Sequence, residues 1–341
     1  MRAVVQHGIR DVRLEERPEP KAGPGEVLVR VRSVTICASD IHIYAEGNVG
    51  GVNWDEPFVP GHEAAGHIAE PGDSGLPVGA PVVLDPAAAC HDCDMCRDGL
   101  YHLCRNLRFL DLPPVQGAMC EFVAWPADRV FALPESADII EAPLIEPLCV
   151  AVHATELASH LQGATVLVAG CGAIGLFTIQ MARLRGARAV FASDLIPERL
   201  AVAREIGANA TIRVGEEDPV AAVLSATNGR GVDVAFEAAG PQEALDQCLG
   251  AVRPAGEVVV IGIPSEDDYR LQSSYLRRHE VTLRFVRRQN ENYPETIALV
   301  REGRIRLSPL LTHRFPMERA TEAFDLAERK GEGAIRVAVM C

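Results

Sequence analysis

The chain has 341 residues, of which 48% are hydrophobic and 23% are charged, and its formal net charge is −14. This length predicts about two domains with large apolar cores. The acidic balance argues against nucleic acid or an anionic membrane as a partner, and no apolar run reaches the roughly 18 residues that span a bilayer.

The first part of the chain, residues 1–148, is rich in Pro, Gly, Cys and His. Short strand-like runs such as Glu26–Arg32 and Phe122–Trp125 predict an irregular, mostly β domain with many turns. The chain does not begin with the apolar segment of a signal peptide, and clustered cysteines are typical of metal ligands inside cells. These features predict a cytoplasmic protein.

Three places in this part carry residue types that bind catalytic metals: Cys37, the pair His62–Glu63, and Glu146. A catalytic zinc ion takes about three protein ligands and keeps one open position. Spacing alone does not bring these residues together, and a buried cysteine, a structural histidine and a surface glutamate are the alternative interpretation.

A second metal pattern is stronger, because four of the ten cysteines fall within 15 residues: Cys90, Cys93, Cys96 and Cys104. Four thiolates at such spacing close a tetrahedron around a structural zinc ion. Free or disulfide-bonded cysteines in a loop are the alternative.

From residue 149 the pattern changes to apolar runs of strand length that alternate with helical periodicity, which predicts a doubly wound α/β domain over 149–283. The predicted elements include Val166–Ala169, Ile174–Leu184, Ala189–Ser193, Glu198–Ile206, Asp233–Phe236, Glu243–Val252 and Glu257–Ile261. The tail adds a strand at Val281–Val286, a helix at Glu295–Glu302 and a strand at Ala334–Met340. We expect residues 284–341 to complete the first domain.

The first strand of the α/β domain leads into G-x-G-x-x-G at Gly170, Gly172 and Gly175, with Ala173 and Ile174 opening the helix. The glycines permit a tight turn, a close approach of the pyrophosphate, and close packing of helix on strand, while the helix N-terminus offers N–H groups to the phosphates. This context predicts a dinucleotide site.

Asp194 ends the second strand, 19 residues after Gly175, where a carboxylate accepts hydrogen bonds from the adenosine ribose and repels a 2′-phosphate. NAD is therefore favoured over NADP. Arg199 weakens this preference, because a nearby arginine is able to accommodate a phosphate.

In chain order these motifs resemble the zinc-containing medium-chain dehydrogenase/reductase family over essentially the whole chain, and within it the polyol (sorbitol and xylitol) dehydrogenases. The residues that carry the resemblance are Gly61–Gly66 (GHE-x2-G), Cys37–His42, Ile145–Ala154, Ser193–Leu200 and Pro309–Phe324. The resemblance implies a GroES-like catalytic domain beside a Rossmann NAD domain.

The resemblance also implies two zinc ions per chain, with the catalytic ion on Cys37, His62 and either Glu63 or Glu146. Ser39 and His42 match a relay that carries the alcohol proton outward. Ser39 has helix capping as its alternative role.

Arg288 matches a substrate-pocket arginine, with a plain surface charge as the alternative, and Glu146 and Tyr44 are further substrate candidates. Gln289 stands where the sorbitol enzymes often have an aromatic hydroxyl residue, so it argues against an identical polyol fit.

The function implied is zinc-dependent oxidation of a secondary alcohol, such as the polyols sorbitol and xylitol, to a ketone with NAD, in a homo-oligomer of four chains. A threonine 3-dehydrogenase, which His42–Tyr44 also resembles, or a butanediol-type dehydrogenase is the alternative. A non-catalytic NAD-binding protein on the same fold is a further one.

Overall fold

A computed structural model describes residues 1–49, 52–53, 57–265 and 268–341. The chain forms two compact units. The first comprises Met1–Glu146, Asn290–Glu302 and Leu307–Cys341, and the second comprises Pro147–Gln289 and Gly303–Arg306.

The elements are numbered here in chain order. The strands are β1 Arg2–Gly8, β2 Asp11–Glu16, β3 Glu26–Thr35, β4 Asn48–Val49, β5 Val52–Asn53, β6 Glu63–Glu70, β7 Pro81–Leu84, β8 Ala87–Ala88, β9 Arg108–Phe109, β10 Phe122–Pro126, β11 Val130–Ala132, β12 Thr165–Ala169, β13 Ala189–Asp194, β14 Ala210–Arg213, β15 Val232–Glu237, β16 Val252–Val260, β17 Thr282–Phe285, β18 Leu311–Pro316 and β19 Arg336–Met340. The helices are α1 Ala38–Glu46, α2 Asp94–Arg97, α3 Ile145–Leu157, α4 Ala173–Leu184, α5 Pro197–Glu205, α6 Pro219–Ala226, α7 Gln242–Ala251, α8 Ser273–His279, α9 Tyr293–Arg301 and α10 Ala320–Arg329. Within the described residues, none of these helices is both long and apolar enough to cross a membrane.

The first unit is built on a sheet in the order β11-β7-β6-β3-β19-β18, with β10 also paired to β3. Strand β3 is antiparallel to β6, β10 and β19, whereas β18 and β19 are parallel. Alternating apolar residues of β3, such as Val27, Val29 and Val31, point into the core of this unit. The C-terminal strand β19 thus lies directly against β3.

The second unit is a parallel sheet in the order β14-β13-β12-β15-β16-β17. All five residues of β12 are buried, as expected for a central strand covered on both faces. The chain leaves β12 in one direction for β13 and later returns to its other side as β15. In such sheets ligands bind where the strand order reverses, at the carboxyl ends of the strands. The predicted fold class, a mostly β unit with a doubly wound α/β unit, is confirmed.

The units differ in detail from the ranges expected from sequence. Strand β17 pairs with β16, so the second unit continues to Gln289 rather than ending at residue 283. Residues Gly303–Arg306 also belong to it, because the Gln180 side chain exchanges two hydrogen bonds with the backbone of Arg306, at 2.9 and 3.0 Å.

Candidate functional site

The candidate metal centre forms where β3, β6 and β19 meet in the first unit. In the antiparallel pair of β3 and β6, Thr35 lies opposite Glu63. Cys37 follows β3 by two residues and His62 immediately precedes β6, so both lie at the same edge of the sheet. Ligand atoms of Cys37, His62 and Glu63 all lie within 4.8 Å of one another.

This donor set fits a catalytic zinc ion, because it supplies one sulfur, one nitrogen and one carboxylate oxygen and leaves a fourth position open. His62 is 5% exposed and Glu63 is fully buried, whereas Cys37 is half-buried, so two of the three donors are shielded from water. The sequence did not establish that these residues meet, whereas the sheet register provides the reason that they do.

Glu63 is held by two side chains that sequence reasoning missed. The Arg336 guanidinium, at the start of β19, donates to Glu63 Oε1 at 2.8 Å and to the Ile36 carbonyl at 2.8 Å. The Thr35 hydroxyl donates to Oε2 of the same carboxylate. Loss of either partner of this buried ion pair would destabilise the fold, because it would leave the other charge buried and uncompensated.

Helix α1 starts directly after Cys37 and contributes Asp40, which is 1% exposed. Asp40 Oδ2 accepts a hydrogen bond from the Cys37 N–H at 2.7 Å, and this fixes the backbone that carries the cysteine. Burial raises the pKa of Asp40 to about 8, against the opposing effect of the His62 charge. Asp40 was absent from the predicted site, although its position three residues after Cys37 was a signal for a helix-capping carboxylate.

His62 contacts a further carboxylate, that of Asp111, which sequence reasoning did not identify. Its Nδ1 lies 2.5 Å from Asp111 Oδ2. Burial lowers the pKa of His62, but the charges of Asp111 and Cys37 and their hydrogen bonds outweigh burial and raise it well above its ordinary value.

Glu146 lies in the first turn of α3 and is 4% exposed. It is not one of the three residues whose ligand atoms lie within 4.8 Å of one another. Burial raises the pKa of Glu146 to about 7, while His62 lowers it and Glu63 raises it further. The charges of the candidate metal centre therefore influence the pKa of Glu146, although its carboxylate does not belong to the same compact group.

Three predicted residues lie on α1. Ser39 and His42 are one turn apart, and His42 Nδ1 lies 3.5 Å from the Glu46 carboxylate. Cys37, not Ser39, occupies the N-cap position of this helix. Tyr44 requires a correction: it is 1% exposed, packs on Phe324 and donates its hydroxyl to Asp325 at 2.8 Å, so it is a core residue and not a pocket-lining one.

The four clustered cysteines form a second group whose sulfurs all lie within 4.8 Å of one another. Sγ–Sγ distances are 3.5 Å for Cys93–Cys96 and 4.0 Å for both Cys90–Cys96 and Cys93–Cys104. A zinc–sulfur distance of about 2.3 Å in a tetrahedron places the sulfurs about 3.8 Å apart. Backbone N–H groups, first that of Asp92, lower the pKa of Cys90 to about 6, whereas burial raises the pKa of Cys96 to about 12.

The dinucleotide motif of the second unit has the predicted strand–turn–helix context. Gly170 has a φ of 96°, which only glycine adopts freely, and a Cβ on Gly175 would lie 1.8 Å from the Gly170 carbonyl oxygen. Gly172 is the N-cap of α4, and apart from its chain neighbours no atom of the described residues lies within 4 Å of a Cβ built on it. Buried Ala173 and half-buried Ile174 begin that helix.

Asp194 ends β13, and its carboxylate accepts hydrogen bonds from the Cys171 N–H at 2.6 Å and the Ile196 N–H at 2.8 Å. The carboxylate is thereby oriented at the carboxyl edge of the sheet beside the glycine turn. Burial and the charge of Asp194 raise the pKa of the Cys171 thiol, and the charge of Arg199, on α5, partly opposes this rise.

Arg288 and Gln289 end the longer of the two segments that form the second unit. Arg288 is half-buried with a left-handed φ of 54°, and Gln289 is 3% exposed. The predicted substrate role of Arg288 stays a prediction.

Comparisons with known proteins agree with this architecture. Residues 23–135 match the family model for the alcohol dehydrogenase GroES-like domain, and residues 173–302 match that for zinc-binding dehydrogenases. Sorbitol dehydrogenase of Bacillus subtilis is 35% identical, over 99% of this chain and 97% of its own length.

Solved structures are similarly close. L-idonate 5-dehydrogenase from Escherichia coli is 27% identical with a TM-score of 0.93, over 100% of this chain and 98% of its own. 2R,3R-butanediol dehydrogenase from Bacillus subtilis is 30% identical with a TM-score of 0.89, over 100% and 99%. The chain therefore belongs to the zinc-dependent medium-chain dehydrogenase/reductase family, as an alcohol oxidoreductase.

Proposed function

We propose that this chain oxidises the secondary hydroxyl of a polyol such as sorbitol or xylitol to a ketone, with NAD as the hydride acceptor. The observation that carries the proposal is the group of half-buried Cys37 with buried His62 and Glu63, whose ligand atoms lie within 4.8 Å of one another. The polyol is supported by the match to sorbitol dehydrogenase of Bacillus subtilis, which extends over 99% of this chain.

Two zinc ions per chain are part of the proposal. Cys37, His62 and Glu63 hold the catalytic ion, with Glu63 favoured over Glu146 because its carboxylate belongs to the compact ligand group. The four clustered cysteines hold a structural ion. The chemistry that zinc supplies in a site with an open position is Lewis-acid activation of an alcohol oxygen.

The chain's own residues remove the alcohol proton. Ser39 and His42 are three residues apart on α1, so their side chains share one face of the helix. Ser39 accepts the proton and hands it to His42, whose side chain is 19% exposed and releases the proton to water. Glu46, 3.5 Å from His42 Nδ1, orients the imidazole.

The second unit binds NAD at the edge where its strand order reverses. The glycine turn after β12 receives the pyrophosphate, and the N-terminus of α4 supplies N–H groups to it. Asp194 accepts the ribose hydroxyls and repels a 2′-phosphate, which favours NAD over NADP, while the charge of Arg199 on α5 weakens this preference.

The active form is a homo-oligomer, with a tetramer favoured. Strand β17 lies at the end of its sheet, and its Phe285 side chain is 60% exposed, an unusual position for a large apolar ring. Sedimentation equilibrium should give a mass of four chains. The cytoplasmic location expected from the cysteines stays a prediction.

The test is a panel of sorbitol, xylitol, threonine and 2,3-butanediol, each assayed with NAD and with NADP. We expect the highest kcat/KM for a polyol with NAD, by at least about tenfold, because a site built for several hydroxyls rejects substrates that lack them. Threonine or butanediol as the best substrate would replace the polyol. The butanediol enzyme is the stronger rival, since its structure is 30% identical to this chain. No NAD reduction with any alcohol in fully zinc-loaded protein would favour a non-catalytic NAD-binding protein.

A further inference from the structure

Asp111 lies between β9 and β10, far in sequence from the residues that it contacts. Its carboxylate Oδ2 is 2.5 Å from Nδ1 of His62, and the two side chains are 8% and 6% exposed. A contact this short between two buried polar groups is a strong, charge-assisted hydrogen bond. None of the motifs in the sequence singled out this residue.

The backbone at Asp111 is unusual. Its φ is 65°, in the left-handed region that residues with a Cβ rarely adopt. The surrounding segment holds it there, since the Leu110 N–H donates to the Pro86 carbonyl at 3.0 Å and the Leu112 N–H donates to the Phe109 carbonyl at 3.1 Å. Backbone strain of this kind is concentrated at functional sites, where the fold keeps a side chain in one required position.

The same segment contacts the imidazole a second time. The Phe109 ring packs on the His62 ring at a centroid distance of 5.2 Å and an angle of 50°. Phe109 limits rotation of the imidazole, and Asp111 fixes which nitrogen carries the proton. Asp40 Oδ2 accepts the Cys37 N–H at 2.7 Å, whereas its buried Oδ1 has no hydrogen-bond partner among the described residues. The hydrogen bond to His62 Nδ1 therefore comes from Asp111 and not from Asp40.

A histidine binds a metal ion through an unprotonated ring nitrogen, and the partner of its other nitrogen decides which one that is. We propose that Asp111 is a positioning residue that accepts the proton-bearing Nδ1 of His62 and thereby presents Nε2 to Cys37 and Glu63. This inference rests on the proposed metal role of His62. The segment between β9 and β10 would then orient a ligand that immediately precedes β6.

A competing geometry is present, because ligand atoms of Asp40, His62 and Asp111 also lie within 4.8 Å of one another. In that arrangement Asp111 would itself be a metal ligand. The two roles differ in what an asparagine is able to replace: an amide oxygen still accepts the Nδ1 proton but is a poor substitute for a carboxylate ligand.

The experiment compares zinc-loaded wild type with Asp111→Asn and Asp111→Ala. Glu15→Gln is the matched control, because Glu15 also lies 2.6 Å from a histidine, His7, but neither belongs to the candidate metal centre. Zinc affinity is measured by chelator competition, and ligand geometry by the visible spectrum of cobalt-substituted protein. Melting temperatures show whether each variant is folded.

We expect Asp111→Ala to bind the catalytic zinc about 10–100-fold more weakly, as is usual when the hydrogen-bond partner of a ligating histidine is lost. Asp111→Asn should recover most of that affinity with a wild-type cobalt spectrum, and Glu15→Gln should match wild type. Wild-type affinity in the alanine variant overturns the positioning role. Equal loss in both variants, with an altered cobalt spectrum in each, overturns it in favour of direct ligation.

Failure of the proposed function would be visible separately. In that case wild type itself would hold zinc only in the cysteine group and would not oxidise polyols, whatever the residue at position 111. A wild type with two zinc ions and an alanine variant with unchanged affinity would reject the role of Asp111 alone.

Discussion

The glycines at 172 and 175 belong to one motif but face opposite surroundings. A Cβ on Gly175 would lie 1.8 Å from the Gly170 carbonyl oxygen. In the part of the chain that the structure describes, a Cβ on Gly172 has no contact within 4 Å beyond its chain neighbours. We expect Gly175→Ala to cost about 1–3 kcal/mol, the usual range for overpacking, and to lower the melting temperature by several degrees.

Gly172→Ala is the matched partner in this prediction. It should leave the melting temperature nearly unchanged but weaken NADH binding, because the new methyl group occupies space into which the pyrophosphate would fit. Differential scanning calorimetry and NADH fluorescence titration measure the two effects. A stable Gly175→Ala, or a Gly172→Ala that loses stability and keeps its affinity for NADH, would contradict this division of roles.

At the scale of elements, Asp233 joins three strands at their N-terminal ends. From β15 it accepts the Thr165 N–H of β12 at 2.8 Å and the Arg253 guanidinium of β16 at 2.8 Å, and also Arg230 at 2.6 Å. Burial raises the pKa of Asp233, but these hydrogen bonds outweigh burial and hold it well below its ordinary value. Asp233→Asn should cost about 2 kcal/mol at neutral pH, the range for hydrogen bonds to a charged group.

The sign of the pH dependence follows from the lowered pKa. The stabilisation is complete above the pKa of an unfolded aspartate, about 4, and declines as the pH falls toward the lower folded value. Melting curves from pH 6 to pH 3 should therefore bring wild type and Asp233→Asn closer together. Asp246→Asn is the control, because Asp246 is an exposed aspartate that contacts Gln242. The difference between its melting temperature and that of wild type should stay constant over this pH range. Parallel curves for Asp233→Asn would contradict the prediction.

The elements also explain what could be predicted from the sequence. The glycine turn, Asp194 and the four cysteines are recognisable because each pattern is local in the chain. The doubly wound sheet is recognisable because apolar runs of strand length alternate with segments of helical periodicity. The contacts that Asp111 and Arg336 make with the metal centre are not local. Asp111 reaches His62 over 49 residues, and Arg336 reaches Glu63 over 273, so both contacts depend on strand register and loop path. The burial of Tyr44 could not be predicted for the same reason, since its hydrogen-bond partner Asp325 is 281 residues away in the chain.

For the whole molecule, the two cysteine-containing groups predict two zinc ions with different consequences. Elemental analysis should find two zinc ions per chain in wild type and one in Cys37→Ser or Cys93→Ser. Cys37→Ser should lose turnover to below detection but keep its affinity for NADH and most of its thermal stability, because the buried contact between Arg336 and Glu63 remains.

Cys93→Ser should instead destabilise the segment from Cys90 to Cys104. Leu100 and Leu103 of this segment are exposed, so little apolar packing would hold it together without the metal. Limited proteolysis should cut this segment in Cys93→Ser and spare it in wild type and in Cys37→Ser. The double variant should contain no zinc. Retention of both ions in Cys37→Ser would remove the basis for metal-assisted catalysis, because the sulfur donor of the compact group would then be dispensable. An intact Cys90–Cys104 segment in zinc-deficient Cys93→Ser would mean that the fold, and not the ion, holds the four cysteines together.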